Sequence, residues 1–178
     1  MEHEQTTSAS LAVHRSTPAD GRDGCADALL EVGGVSKHFG GLAAVRDVSF
    51  AVRRGEFLGL IGPNGAGKTT LFNVIAGYYS PSAGSIRFKG HDITGHKPHE
   101  ICRRGVARTF QIVKPLGRMT TLENVMVGAL LHTSSVAEAR ETALETLEFV
   151  RLLPKRDSLA RSLTLGERKR LEVARALA

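Results

Sequence analysis

Eight consecutive residues have the types and the spacing of a loop that binds polyphosphate. They are Gly62, Pro63, Asn64, Gly65, Ala66, Gly67, Lys68 and Thr69. They match the phosphate-loop pattern, which is a glycine, any four residues, a second glycine, a lysine, and then a serine or threonine. Glycines leave room for backbone amides to approach phosphate oxygens closely. We expect Lys68 to neutralise the outer phosphates, Thr69 to give its hydroxyl to Mg²⁺, and Thr70 to add a phosphate hydrogen bond. A glycine-rich turn without a ligand is the alternative.

The elements on either side of this loop are those that a phosphate site requires. Residues 57–61 are apolar throughout and too few for a helix, so they predict a strand buried on both faces. A helix is expected from Lys68 to about Ala76, because Gly77 supplies a helix-end signal. The positive N-terminus of that helix would then face the phosphates. Its expected buried residues are Leu71, Phe72 and Ile75.

The remaining pattern divides the chain into a polar tail, a strand-rich part and a helical part. Residues 1–27 are rich in Ser, Thr, Ala, Gly and Asp without apolar periodicity, and predict a disordered tail. Apolar alternation predicts strands from Leu29 onward, at 47–52, and at 86–89 as an edge strand. Capping boxes that start helices are expected at Thr120 with Glu123, Ser135 with Glu138, and Thr164 with Glu167. The later helices are expected to bury Ala143, Leu147, Val150, Leu171, Ala174 and Leu177.

The composition is that of a globular protein with anionic partners. The chain has 178 residues, 42% of them hydrophobic, which is enough for one domain with its own core. No apolar run reaches the roughly 18 residues of a membrane-spanning helix, and residues 1–10 lack a signal pattern, so we expect a cytoplasmic protein. The formal charge of +6 suits phosphates or a membrane surface without choosing between them.

A second glycine-bearing helix start lies near the end of the sequence. It reads Thr164, Leu165, Gly166, Glu167 and Arg168, and it resembles the signature motif of the ABC ATPase family. The resemblance to this family runs from Leu30 to Ala178. It implies that residues 164–167 contact the terminal phosphate of ATP bound to a partner subunit. Leu165 and Glu167 depart from the family's usual glycine and glutamine, and an ordinary amphipathic surface helix is the alternative.

Two further residues take their roles from the same resemblance. Gln111 resembles the family's glutamine that reaches Mg²⁺ and the attacking water, while its loop faces a membrane subunit. Phe39 matches the aromatic residue on which the family stacks adenine, although core packing is the simpler interpretation without the resemblance. The implied cofactors are therefore ATP and Mg²⁺, with Thr69 and Gln111 as ligands of the metal.

The sequence outside the motifs is similar to that of the ATPases of branched-chain amino-acid importers, as in Phe39-Gly40-Gly41-Leu42. This similarity implies an ATP-binding subunit placed peripherally on the inner face of the cell membrane. Its implied partners are membrane permease subunits, a second ATPase subunit in a homo- or heterodimer, and indirectly a periplasmic or extracellular binding protein. No specific nucleic-acid partner is expected. The implied fold is an α/β phosphate-loop NTPase domain at 28–178, with a β-rich N-terminal part and a helical subdomain at about 112–165.

The resemblance also marks what these residues do not include. Family members continue past the signature helix with a strand that ends in the Walker B Asp and the catalytic Glu, and then with the switch His. The last histidine here is His132, and Glu172 is the one acid after the signature. We therefore expect an incomplete domain, with its C-terminal strands missing, that does not hydrolyse ATP by itself although the family does. The alternatives are a non-transport member that acts on nucleic acid and an inactive fragment.

Overall fold

The structure is a computed structural model, and it describes residues 12–16, 28–110 and 115–178. The chain forms two compact units, residues 1–104 and 105–178. The boundary falls at Gly105, whose backbone lies in the left-handed region that glycine adopts without strain. In the part of the chain that the structure describes, no helix is long and apolar enough to cross a membrane.

The first unit is rich in antiparallel strands. In chain order it contains β1 (Ala12–Ser16), β2 (Ala28–Phe39), β3 (Leu42–Arg53), β4 (Phe57–Ile61), α1 (Lys68–Ile75), β5 (Ala83–Phe88), β6 (His91–Asp92) and α2 (Pro98–Arg103). Strands β3, β2, β5 and β6 form one sheet in that order, and β1 pairs with β4. The buried apolar residues of the larger sheet include Val32, Val35, Val45, Ile86 and Phe88.

Strand β5 shows the predicted alternation but not the predicted position. Ile86 and Phe88 are buried while Arg87 between them is exposed, as the sequence pattern requires. The strand lies between β2 and β6, so the prediction of an edge strand is wrong. The chain reverses after β5 and adds the two-residue strand His91–Asp92, which pairs with Arg87 and Phe88.

Strand β4 is exposed where the sequence predicts burial on both faces. Phe57 is 83% exposed and Ile61 is 57% exposed. Within the described residues β4 pairs with β1, in an antiparallel register that sets Ala12 opposite Ile61 and Ser16 opposite Phe57. Burial on both faces depends on neighbouring strands and helices, which an apolar run does not specify. Strand β1 falls within the tail predicted to be disordered, because an open strand edge can pair with it. The rest of residues 1–27 lies outside the described residues.

Helix α1 has the predicted limits and a shifted buried face. It runs over Lys68–Ile75 and ends before Gly77, which has a φ of 77°. Two of its three predicted buried residues are buried, but Phe72 is 48% exposed, and Val74 is buried instead. The helix contacts β2 and β3. Contact with these two strands, rather than the apolar pattern of eight residues alone, sets which side of the helix is covered.

The second unit is helical. It contains α3 (Thr121–Ala129), α4 (Val136–Phe149), two 3-10 turns (Leu153–Lys155 and Ala160–Ser162) and α5 (Leu165–Leu177). Its core joins apolar residues from all three α-helices, including Leu122, Val125, Ala143, Leu147, Leu171 and Ala174. Val150 is half-buried because α4 has already ended at Phe149, and Leu177 is 58% exposed.

The helix starts of the second unit are capped largely as predicted. Full capping boxes are present at Thr120 with Glu123 and at Thr164 with Glu167. The third box, at α4, is only half formed. The Ser135 hydroxyl accepts a hydrogen bond from the Glu138 amide, but the Glu138 carboxylate accepts one from the Thr133 hydroxyl. A competing hydroxyl just before the helix therefore replaces the reciprocal bond to Ser135.

Candidate phosphate-binding site

The predicted phosphate loop connects β4 to α1 and turns on two glycines. Gly65 has a φ of 86° and Gly67 has a φ of 82°, which are left-handed values that cost glycine little. Between them the Ala66 amide donates to the Pro63 carbonyl oxygen at 3.2 Å and closes a turn. The loop thus has the strand, turn and helix context that the sequence pattern requires.

Gly67 also fixes the distance between the loop and the sheet. A Cβ atom at this position would lie 2.1 Å from the Ala44 carbonyl oxygen and 3.3 Å from a methyl group of Val45. Both neighbours belong to β3, whose backbone cannot move aside cheaply. Any side chain at Gly67 would push the start of α1 away from the sheet. The loop conformation therefore requires glycine here both for its positive φ and for this close approach.

The N-terminus of α1 differs from those of α3 and α5. Gly67 at its N-cap forms no side-chain hydrogen bond, and the first turn holds no acidic residue. The other two helices each satisfy their first amides with a hydroxyl and a glutamate. The first amides of a helix have no partner within the helix, and the helix dipole makes this end positive. The α1 start is therefore suited to an anion, as a phosphate-loop helix must be.

Lys68 holds its positive charge inside the loop. Its ammonium group donates to the Gly62 carbonyl oxygen at 2.5 Å and to the Pro63 carbonyl oxygen at 2.6 Å.

The next residue, Thr69, is exposed, and its hydroxyl makes no hydrogen bond to the described residues. Oxygen ligands of this kind suit Mg²⁺, so the residue present fits the metal that the sequence predicts.

Phe39 lies at the end of β2 and is not part of the core. The residue is 41% exposed, which argues against the core-packing interpretation. The Tyr79 ring lies 5.2 Å from it, centroid to centroid, at an interplanar angle of 81°. The Lys37 ammonium lies over the Phe39 ring, 5.1 Å from its centroid. An exposed aromatic ring held by neighbours is what a base-stacking residue requires.

The signature residues lie at the exposed start of α5. The Glu167 carboxylate accepts from the Thr164 amide at 2.8 Å and from the Thr164 hydroxyl at 2.9 Å. These two hydrogen bonds lower the pKa of Glu167 below its ordinary value, and the bond from the backbone amide has the larger effect. Leu165 is 67% exposed, and a Cβ at Gly166 would meet nothing within 4 Å. The helix start is open to an approaching group, but an ionised carboxylate already occupies its cap.

Gln111 lies outside the described residues, but the segments on either side of it are anchored by buried polar side chains. Before it, the Phe110 amide donates to a Glu172 carboxylate oxygen at 2.5 Å. After it, the Asn124 side chain accepts from the Leu116 amide at 2.9 Å and donates to the Leu116 carbonyl oxygen at 3.1 Å. No sequence motif assigns a role to Glu172 or Asn124. A signal was available, because each is a polar residue among the buried positions of its helix.

The predicted site residues divide between the two units. Phe39 and the loop residues from Gly62 to Thr70 belong to the first unit, and residues 164–167 belong to the second. Residues 45–178, which include the phosphate loop, match the model of a family described as ABC transporter. The chain belongs to the ABC transporter family. The expected family is thereby confirmed.

Individual relatives within this family are similar over most of the chain. The probable branched-chain amino acid transport ATP-binding protein LivG of Archaeoglobus fulgidus is 42% identical over 161 residues, which cover 84% of this chain and 63% of that protein. The high-affinity branched-chain amino acid transport ATP-binding protein BraF of Pseudomonas aeruginosa is 40% identical over 164 residues, with 84% and 64% covered. A solved ATP-binding cassette of an ABC transporter, in its ADP conformation, has a TM-score of 0.70 at 34% identity, and the match covers 84% of this chain and 64% of that one.

These similarities confirm the fold class and the subfamily resemblance. The neighbouring structure is an ATP-binding cassette, which is the α/β phosphate-loop architecture expected from the sequence. Both named relatives are described as branched-chain amino acid transport proteins, which agrees with the resemblance seen in the sequence. The chain spans slightly less than two thirds of the length of these relatives, at 63% and 64%.

Proposed function

We propose that this chain is the ATP-binding part of an ABC importer for branched-chain amino acids. The observation that carries the proposal is the N-terminus of α1. This helix end has no side-chain cap and no acidic residue in its first turn, and it follows a glycine-rich loop whose carbonyl oxygens bind the Lys68 ammonium group. In this proposal the phosphate loop, Gly62–Thr70, binds the polyphosphate of ATP. The similarity to the two importer proteins named above supports the choice of substrate class.

The last three residues of the phosphate loop each have a stated role in this proposal. The ammonium group of Lys68 exchanges its loop carbonyls for the outer phosphates, and the amides at the start of α1 donate to phosphate oxygens. Thr69 would hold Mg²⁺ through its hydroxyl, with Gln111 as the second protein ligand, and Thr70 would donate to a phosphate. Mg²⁺ supplies charge neutralisation of the phosphates when it is bound. Phe39 stacks on the adenine base.

The partners follow from the importer role. A second ATPase subunit, identical or different, would place its bound ATP against residues 164–167 of this chain. The loop that contains Gln111 would face membrane permease subunits, so the chain would bind peripherally at the inner face of the cell membrane. A periplasmic or extracellular binding protein would act on the permease and not on this chain. No specific nucleic acid takes part.

Hydrolysis requires more than the residues in this sequence. Phosphoryl transfer depends on positioning the metal and the attacking water, and of that constellation the sequence supplies Lys68, Thr69 and Gln111. The one acid after the signature, Glu172, is 8% exposed and accepts the Phe110 amide. We propose that the 178 residues bind ATP and do not turn it over.

Phosphate release tests the hydrolysis part of the proposal. The chain would be compared with a chimera that adds the C-terminal third of the Archaeoglobus fulgidus relative, each at the same concentration with MgATP. We expect turnover in the chimera and none above background in the chain. A Lys68→Ala version of the chimera controls for contaminating ATPases. Equal turnover by the chain and the chimera would contradict the proposal.

A photo-cross-linker separates the importer role from action on nucleic acid. Arg118 is exposed and follows Gln111 closely, so the cross-linker would replace this residue. We expect cross-links to permease subunits in membranes, and none to DNA at physiological ionic strength. The ionic strength matters because the chain's positive charge favours weak, salt-sensitive binding to any nucleic acid. Tight DNA binding without a permease product would favour the non-transport alternative.

A further inference from the structure

The end of β2 and the loop after α1 support one another through several contacts. The Lys37 ammonium donates to the Ser80 carbonyl oxygen at 2.8 Å, and the His38 amide donates to the Ser82 hydroxyl at 3.0 Å. The Ser82 amide in turn donates to the Ser36 carbonyl oxygen at 2.8 Å. These bonds fix Phe39 and Tyr79 relative to one another, because each ring lies within one or two residues of a bonded atom.

Three groups form a compact triangle at this junction. The Lys37 ammonium lies 5.1 Å from the centroid of Phe39 and 6.0 Å from that of Tyr79, and the two rings are 5.2 Å apart. If Lys37 and Tyr79 lay on opposite sides of Phe39, their separation would be close to the sum of the other two distances. They therefore lie on adjacent sides, and neither covers the Phe39 face opposite the ammonium group.

The triangle is attached to the helix that begins at the phosphate loop. The amides of Tyr78 and Tyr79 donate to the Asn73 carbonyl oxygen of α1 at 2.8 and 3.3 Å. Asn73 lies five residues after Lys68. The position of the Phe39 ring is therefore tied to α1, through Tyr79 and Ser80, as well as to its own strand.

The cation on one face changes what the other face prefers. Aromatic faces carry negative charge, so two rings stacked face to face repel one another unless they are offset. An ammonium group over one face attracts π electrons toward itself and leaves the opposite face less negative. Such a face accepts an electron-rich ring, such as that of a purine, with less repulsion.

We propose that Lys37 and Tyr79 are positioning residues that hold Phe39 with one face open to a purine base. The inference rests on the proposed nucleotide site and names the groups that orient its base-stacking residue. Lys37 covers one face and polarises the ring. Tyr79 blocks rotation of the ring toward the loop after α1.

Calorimetric titrations with two probes test this inference on the 178-residue chain. MgATP carries a base, and magnesium tripolyphosphate carries only the phosphates. For Lys37→Met and for Tyr79→Leu we expect MgATP binding to weaken about 3- to 10-fold, with tripolyphosphate binding unchanged. Tyr79→Phe keeps the ring and should bind MgATP like the unaltered chain.

A matched control is available in the same sheet. The Lys89 ammonium lies over the Phe88 ring at the same 5.1 Å, so Lys89→Met removes an equivalent pair away from Phe39. We expect no change in either titration. The chain contains no tryptophan, so Phe39→Trp adds a single reporter whose fluorescence should change with MgATP and not with tripolyphosphate.

The outcomes separate the inference from the function on which it rests. Unchanged MgATP affinity in Lys37→Met and Tyr79→Leu would overturn the positioning role while leaving the nucleotide site in place. An equal loss for both probes would also overturn it, because the variants would then have disturbed the phosphate loop. Failure of the unaltered chain to bind either probe would remove the proposed function and this inference with it.

Discussion

The Glu172 carboxylate accepts a hydrogen bond from the Phe110 amide at 2.5 Å, across 62 positions of the sequence. Glu172 lies on the signature helix α5, and Phe110 is the residue before Gln111. The carboxylate is part of the buried set of α5 and is 8% exposed. A buried polar group is tolerated when it is hydrogen-bonded, so this contact explains an acidic residue among the buried positions of α5. The helix that carries the predicted signature thus holds the backbone next to the predicted position of Gln111.

Replacing Glu172 tests the strength of this contact. Glu172→Leu removes the acceptor of this bond, which we expect to cost about 0.5–1.5 kcal/mol in the free energy of unfolding, because Phe110 is exposed and water can replace the carboxylate. Glu172→Gln keeps a carbonyl acceptor at the same reach and should cost less. Urea denaturation of the three proteins measures the difference. Equal stability of the leucine and glutamine variants would show that the bond does not matter.

Helices α3 and α5 approach one another closely at Gly128. A Cβ atom there would lie 2.4 Å from the Arg175 carbonyl oxygen. Alanine gains about 1 kcal/mol of helix propensity, but overpacking against backbone costs roughly 1–3 kcal/mol. We expect Gly128→Ala to lower the midpoint of thermal unfolding. Gly166→Ala, in a helix position with open space, should leave that midpoint unchanged or raise it.

The cap of α5 should make stability depend on pH in the acid range. The pKa of Glu167 lies below its ordinary value of 4.5, chiefly because the Thr164 amide donates to the carboxylate. A lowered folded-state pKa means that the ionised carboxylate stabilises the fold above pH 4.5, and that this contribution is lost as pH falls through the lowered value.

Comparison with Glu167→Gln isolates that contribution. The glutamine keeps a capping oxygen without the charge, so the unaltered chain should be the more stable of the two at pH 6. Its advantage should shrink below pH 4.5 and vanish at the acid end of the titration, as measured by urea denaturation at each pH. Thr164→Ala should cost about 1 kcal/mol at pH 6 through loss of the cap. An advantage that stays constant between pH 6 and pH 3 would contradict the assignment.

The sequence predicted those parts of the fold that depend on neighbouring residues in the chain. The phosphate loop, the end of α1 before Gly77 and the Thr164 cap are local, because a glycine conformation or a bond three residues away decides each of them. The cap at Ser135 was predicted only in part, since the Thr133 hydroxyl competes for Glu138.

Features that depend on distant partners could not be predicted in the same way. The exposure of Phe57 follows from which strands lie beside β4, and no pattern in five apolar residues contains that information. The exposure of Phe72 depends on which side of α1 contacts β2 and β3. The role of Glu172 depends on a residue 62 positions away. Gln111 is predicted by resemblance and lies outside the described residues, so its role stays a prediction.

Calorimetric titration of the chain with MgATP, beside Lys68→Ala, tests the central claim most directly. Lys68 supplies the cation of the loop, so we expect its loss to weaken binding by tens-fold or more, in line with charge-assisted hydrogen bonds of about 1.5–3 kcal/mol each. Lys169→Ala removes an equal charge from the exposed side of α5 and should bind like the unaltered chain. If Lys68→Ala binds MgATP as tightly as the unaltered chain, the phosphate loop is not the nucleotide site.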